Sequence, residues 1–266
     1  MNKLMNIPER KHEASYFLGQ IYEGQERMED ALAAYDEALY GDFAREATMR
    51  KSFLLKQQQG LEVARVWLRE KLADTLIPGR QLAFMLADAQ LLYEARRYDE
   101  AIAVYNEAEK LGISTRDVLY SRSLSYDRAG NVELAEKDLR EIILNDDEDA
   151  DALNALGYML TVSTDRYQEA KTLISRSLEI NPANPATLDS MGWVLFKLGE
   201  SDGAEKYLRD AFKKMPDPEV GGHLIEVLSQ QGKKEEAAKL LKDMLAEYPD
   251  DKILVEVRER LVERSK

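Results

Sequence analysis

An alanine recurs along the chain at a nearly fixed interval: Ala31, Ala64, Ala101, Ala135, Ala170, Ala204 and Ala237, with spacings of 33, 37, 34, 35, 34 and 33. A period of this length restricts the chain to an array of like units, each of which buries its apolar face only against its neighbours. Other residues keep the same register. Gly19, Gly157 and Gly192 lie twelve or thirteen residues before their alanines, Gly130, Gly199 and Gly232 lie five before, and Pro182, Pro216 and Pro249 lie twelve after.

Each unit reads as two helices. In the sixth, Asn184 is placed to cap the first helix and Pro185 fits its first turn, where a missing N–H does no harm. Gly199 breaks the chain, a second helix starts near Ser201, and Pro216 closes the unit. Leu188, Met191, Gly192 and Leu195 share one face of the first helix at three-and-four spacing, and Ala204, Leu208 and Ala211 share one face of the second. Glycine inside a helix costs about 1 kcal/mol relative to alanine, so Gly192 marks a point where the partner helix comes close, at Ala204.

This pattern resembles the tetratricopeptide repeat family, which has small residues where Gly192, Ala204 and Ala211 stand, bulky ones at Leu188, Met191, Leu195 and Leu208, and proline at Pro216. The resemblance implies an all-α, right-handed superhelical solenoid of about seven helix-turn-helix units. Residues 1–251 form one solenoid, with repeats near 12–45, 46–80, 81–115, 116–149, 150–184, 185–217 and 218–251, and residues 252–266 form a capping helix. Departures fall in the second unit, where Ala64 is out of step with Gly60, in the third, where Arg96 replaces the turn glycine, and in the seventh, where Ile225 replaces the small residue. The fifth carries one extra residue.

Composition excludes several functions. With 37 basic and 50 acidic residues the net charge is -13, which repels nucleic acid and anionic lipid. There is no cysteine, hence no disulfide, thiolate metal site or cysteine nucleophile. No apolar run reaches the roughly 20 residues of a membrane span, and the opening "MNKLMNIPERKHEASYFLGQ" lacks a signal-peptide core. Phosphate-binding glycine loops and HExxH pairs are missing, so no catalytic residue, metal or cofactor is expected. His223 and Glu226, three apart on a helix, are too few ligands for a metal site, and His223 reads as a surface or groove histidine. The acidic run "NDDEDAD" (145–151) lacks the glycine and terminal glutamate of a calcium loop and reads as a junction whose carboxylates favour the next helix N-terminus. Trp67 reads as core.

A second stripe on the first helices would line a concave wall. Its members are Asp117, Tyr120, Leu124 and Asp127 in the fourth unit, Asp151, Asn154, Tyr158 and Thr161 in the fifth, and Ala186, Asp189, Trp193 and Phe196 in the sixth. The first unit offers Glu13, Tyr16, Gln20 and Glu23. The family resemblance implies that such a stripe binds a protein partner, with Tyr120, Asn154, Tyr158, Asp189, Trp193 and Phe196 as the contact residues and Tyr120, Tyr158 and Trp193 as an aromatic ladder. Asn154 both donates and accepts, which suits a peptide backbone. Tyr158 and Trp193 packing against the neighbouring unit is the alternative.

The last three units, above all "LDSMGWV" and "PDPEVGGHL", are similar to outer-membrane tetratricopeptide lipoproteins of Gram-negative bacteria. This resemblance implies a non-catalytic adaptor that binds a periplasmic protease of the C-terminal processing type and brings it cell-wall hydrolases, with a lipid anchor upstream of this chain. Two other readings stay open: a cytoplasmic co-chaperone-like module, which the groove aspartates disfavour for an anionic ligand, and the non-catalytic arm of a larger enzyme such as a glycosyltransferase. Self-association through solenoid ends is also compatible with the repeat.

Overall fold

The computed structural model describes residues 10–113 and 115–263. Residues 1–9 of the expected array and 264–266 of the expected capping segment lie outside the described residues. Among the described residues there are fifteen α-helices and no strand, the all-α class expected from the repeat.

The helices fall into two compact units, Met1–Ala135 and Glu136–Lys266. The first contains α1 (Lys11–Gly24), α2 (Met28–Ala38), α3 (Ala44–Gln59), α4 (Leu61–Ala73), α5 (Pro78–Glu94), α6 (Tyr98–Lys110), α7 (Arg116–Arg128) and the start of α8 (Val132–Asn145). The second contains the remainder of α8, then α9 (Ala150–Ser163), α10 (Tyr167–Ile180), α11 (Pro185–Lys197), α12 (Ser201–Lys214), α13 (Pro218–Gln230), α14 (Lys234–Glu247) and α15 (Lys252–Glu263).

Local chemistry sets the helix ends. The Asn184 side chain accepts from the backbone N–H groups of Ala186 at 2.9 Å and Thr187 at 3.3 Å, with Pro185 in the first turn of α11. Asp149, from the acidic run, accepts from Ala152 N at 2.9 Å and starts α9; Asp217 does the same for α13 through Val220 N at 3.0 Å. Each satisfies a donor the helix leaves open. The turn after α11 uses Gly199 at φ +80°, and the equivalent turn after α5 puts Arg96 at φ +59°. A side chain at such a φ is strained, which explains why glycine is the usual residue there.

Every alanine of the repeat series is buried, because each lies where a second helix meets its first. The small first-helix residue facing it is glycine in three pairs. A Cβ on Gly192 would lie 2.5 Å from Leu208 Cγ and 3.1 Å from the Ala204 carbonyl oxygen, and one on Gly157 would lie 2.5 Å from Ile174 Cγ1 and 3.0 Å from the Ala170 carbonyl oxygen. On Gly19 it would collide with the Tyr35 ring. Ser52, Ala89 and Ser123 hold the same position in α3, α5 and α7 and are also buried. In α13 the position is Ile225, fully buried, and close approach moves one turn back: a Cβ on Gly221 would meet Met244 Cε at 2.9 Å. Gly222 does the same for α15, with Ile253 Cγ2 at 3.1 Å, and Leu254 and Val257 bury the inner face of α15.

Successive second helices are joined by a repeated ion-pair pattern. In the second unit Arg166 meets Glu136 and Glu169, both at 2.7 Å, while Arg140 meets Glu136 at 2.7 Å and Glu169 at 2.5 Å. Two repeat steps on, Lys233 meets Glu205 at 2.5 Å, and Arg209 meets Glu205 at 2.9 Å and Glu236 at 2.7 Å. The first unit repeats it with Glu62, Arg97 and Glu100. The hydrogen bond from Arg166, working against partial burial, holds the Glu136 carboxyl below its ordinary range. These pairs are solvent-washed, so each adds at most about 1 kcal/mol.

Candidate functional site

In the second unit the first helices α9, α11 and α13 carry a connected set of side chains. The Trp193 indole of α11 stacks on the His223 imidazole of α13, with ring centroids 4.1 Å apart and planes at 18°. On its own helix Trp193 stacks with Phe196 at 5.1 Å and 24°, and the Lys197 ammonium sits 4.9 Å from the indole centroid. His223 Nδ1 lies 3.0 Å from both carboxylate oxygens of Asp189. Tyr158 of α9 approaches the His223 ring at 6.4 Å, and its hydroxyl donates to Glu219 of α13, a partner 61 residues away that spans the helix between.

The electrostatics follow from burial. Asp189 is 5% exposed, and desolvation pushes its carboxyl pKa up, partly offset by the favourable charge and hydrogen bond of His223. On α13 Glu226 is buried and meets Arg260 of α15 at 2.5 Å. Asn154, four residues before Tyr158 and so on the same face, is half-buried, and its Oδ1 is shielded from solvent with no donor from the protein.

These positions correct part of the expected groove. Trp193, expected to face an open concave wall, is 9% exposed, because His223 covers one face of its ring. Asp189 is likewise buried under His223 rather than open to a ligand. His223, expected at the surface or in the groove, has a side chain only 12% exposed and is the link that joins Tyr158, Asp189 and Trp193. Tyr158, Asn154 and Phe196 are half-buried. Nothing in the local periodicity marked His223 as this link; its spacing of 34 residues from Asp189, one repeat, was the available signal.

Tyr120 belongs to the first unit, where it is half-buried with the Arg116 guanidinium 4.6 Å from its ring centroid. Asp117, on the same helix, pairs with Arg45 of α3 at 2.6 Å. Glu23 accepts from the Tyr35 hydroxyl at 2.6 Å and from Arg50 at 3.0 Å, and Tyr16 stacks on Phe43 at 4.7 Å and 2°. Trp67 is partly buried and packs against the core, edge-on to Phe84 at 6.3 Å. The buried Arg65 and Asp88 pair at 2.6 Å. Among the described residues no group of three or more His, Asp or Glu side chains is placed to hold a metal, and no helix is long and apolar enough to cross a membrane.

Comparison with known proteins places this geometry. The family described as coatomer epsilon subunit matches residues 54–263, and a tetratricopeptide repeat family matches residues 5–47. A TPR repeat-containing protein of Pseudomonas aeruginosa is 33% identical over 213 residues, 80% of this chain and 36% of that protein, so the chain spans about a third of the length of the curated relative it matches. Among solved structures, a tetratricopeptide repeat protein from Parabacteroides merdae superposes with a TM-score of 0.71 at 15% identity, over 94% of this chain and 98% of that one. The structure of the APC/C hetero-tetramer Cut9-Hcn1 gives 0.65 at 17% over 87% and 52%. A thermophilic TPR protein from Thermus thermophilus gives 0.60 at 22% over 67% and 96%. At these identities the structural likeness is one of fold.

Proposed function

The chain belongs to the coatomer epsilon subunit family, within the tetratricopeptide repeat superfamily, and from that premise we propose that it is a non-catalytic adaptor whose wall of α9, α11 and α13 holds a protein partner. Such a fold implies a protein partner, since stacked helix pairs present long side-chain stripes for binding. The observation that carries the reading is Asn154. A buried amide oxygen without a donor costs free energy, and a peptide N–H would supply the donor once the Asn154 side chain turns outward from its shielded position, with Tyr158 and Phe196 offering half-buried aromatic surface beside it on the wall.

The finer assignment is a bacterial periplasmic adaptor. It would bind a C-terminal processing protease, bring cell-wall hydrolases to it, and act from the periplasmic face of the outer membrane through an upstream lipid anchor. The support is "LDSMGWV" and "PDPEVGGHL", the stretches that build the Trp193, Asp189 and His223 cluster. Joining enzyme and substrate on one scaffold makes their encounter intramolecular and raises effective concentration.

The test is binding of a purified periplasmic C-terminal processing protease to the immobilised chain, with Asn154→Ala and Tyr158→Ala alongside wild type. Saturable binding that both variants weaken by about ten-fold, the scale of one good hydrogen bond or partly desolvated contact, supports the reading. Equal binding by all three would remove the wall as the site, and absence of protease binding would remove the protease assignment.

A further inference from the structure

A second concavity lies away from the wall carboxylates. It is a cleft of about 680 Å³ lined by Phe196 and Lys197 at the end of α11, Ser229 and Gln230 at the end of α13, Lys234 at the start of α14, and Leu261 of α15. That volume suits a small ligand or a few side chains. Two of its lining residues are lysines and, among the described residues, none is a carboxylate, the reverse of the balance in a chain of net charge -13. Lys233, next in sequence to Lys234, is held by Glu205. Lys197 and Lys234 have no carboxylate partner among the described residues. Lys197 is positioned instead by the Trp193 ring, a cation–π contact that leaves its ammonium free to take an anion.

We propose that this cleft is a second binding site, for an acidic peptide segment, with an Asp or Glu carboxylate between Lys197 and Lys234 and an apolar neighbour against Phe196 and Leu261. Charge separates it from the wall. Asp189 precedes Lys197 by about 12 Å of helix at 1.5 Å per residue, and on α13 the carboxylates of Asp217 and Glu219 stand at the start while Ser229 and Gln230 stand at the end. The first-helix layer thus begins with carboxylates, and at its far end Lys197 of α11 and Lys234 of the second helix α14 line the same cleft, so an acidic segment meets complementary charge at that end.

The indole beside Lys197 supplies a readout. The chain has two tryptophans, so Trp67→Phe leaves Trp193 as the sole reporter. In that background the probe is acetyl-Ala-Glu-Leu-Glu-amide, titrated by fluorescence and by calorimetry against the matching Gln and Lys peptides. The expected result is saturable binding of the Glu peptide, about ten-fold weaker binding of the Gln peptide, as for loss of one charge-assisted contact, and none of the Lys peptide. Lys234→Gln should weaken the Glu peptide by a similar factor with an unchanged circular dichroism spectrum. Asn154→Ala should bind it as wild type does, which keeps this result separate from the wall. Equal affinity for Glu and Gln peptides, unaltered binding by Lys234→Gln, loss of binding by Asn154→Ala, or no saturation at millimolar peptide would each overturn the proposal.

Discussion

Trp193 and His223 lie face to face, their ring centroids 4.1 Å apart, so two first helices one repeat apart are joined through aromatic surface. Replacing Trp193 by Ala is expected to open a cavity between α11 and α13 and cost about 3–5 kcal/mol, read as a lower denaturant midpoint. Trp193→Phe keeps a ring against the imidazole and should lose less. An unchanged midpoint for the alanine variant would contradict the buried placement.

The contact of Gly192 with Leu208 reverses the usual ranking of helix formers. Alanine favours an exposed helix over glycine by about 1 kcal/mol, yet a Cβ here would stand 2.5 Å from Leu208 Cγ. Gly192→Ala should therefore destabilise by about 1–3 kcal/mol. In a Leu208→Ala background, where the nearest obstructing atoms are gone and the Ala204 carbonyl oxygen at 3.1 Å remains, the same change should cost clearly less. A double-mutant cycle by urea unfolding measures this coupling, and strict additivity would refute the close-approach argument.

Asp189 and His223 give a pH dependence of defined sign. Burial raises the Asp189 pKa from its ordinary 3.8. The folded state then binds the proton more tightly than the unfolded one, so this group's contribution is most favourable below pH 3.8 and declines as pH rises through the folded pKa. His223 limits that decline by pairing with the carboxylate. His223→Ala should cost about 3–5 kcal/mol at neutral pH, because it strands a buried charge, and the deficit should shrink as pH falls and the carboxyl, whose pKa burial holds above its ordinary value, takes up its proton. Adding Asp189→Asn should flatten the profile. Chemical denaturation across pH 4–8 checks this, and a pH-independent deficit would contradict it.

In the first unit Arg65 and Asp88 form a buried pair at 2.6 Å. Arg65→Met alone is expected to cost up to about 3–5 kcal/mol, because the buried Asp88 then keeps only its longer 3.7 Å contact with Arg69, whereas the double change to Arg65→Met with Asp88→Leu should recover most of it. Thermal unfolding of the single and double variants distinguishes this from simple loss of side-chain volume.

The helix pairs were legible in the sequence because their determinants are local. Asn184 and Pro185 open a helix through bonds within the same turn, Gly199 ends it through its own φ, and Gly192 faces Ala204 across a hairpin twelve residues long. Even the departures carried a physical sense, since Arg96 adopts the left-handed φ that its turn requires. Ser52, Ala89 and Ser123 occupy the same position of the series without a comparable sequence signal, because only glycine marks close approach without knowledge of the partner helix.

Which side chains face outward was decided in three dimensions. Helical periodicity places Trp193, Asp189 and Phe196 on one stripe, but it is blind to what the next first helix brings over that stripe. The answer depends on the small rotation between successive pairs, a sum of many packing contacts rather than a property of any one segment. That rotation lays His223 on Trp193 and carries Tyr158 to Glu219 beyond the intervening helix. By itself the sequence determined the repeat, its caps and its points of close approach, all fixed by short-range sterics and hydrogen bonds. Only the tertiary structure decided that Trp193 and Asp189 are buried while Asn154 keeps an unpaired acceptor, because burial is set by residues a full repeat away.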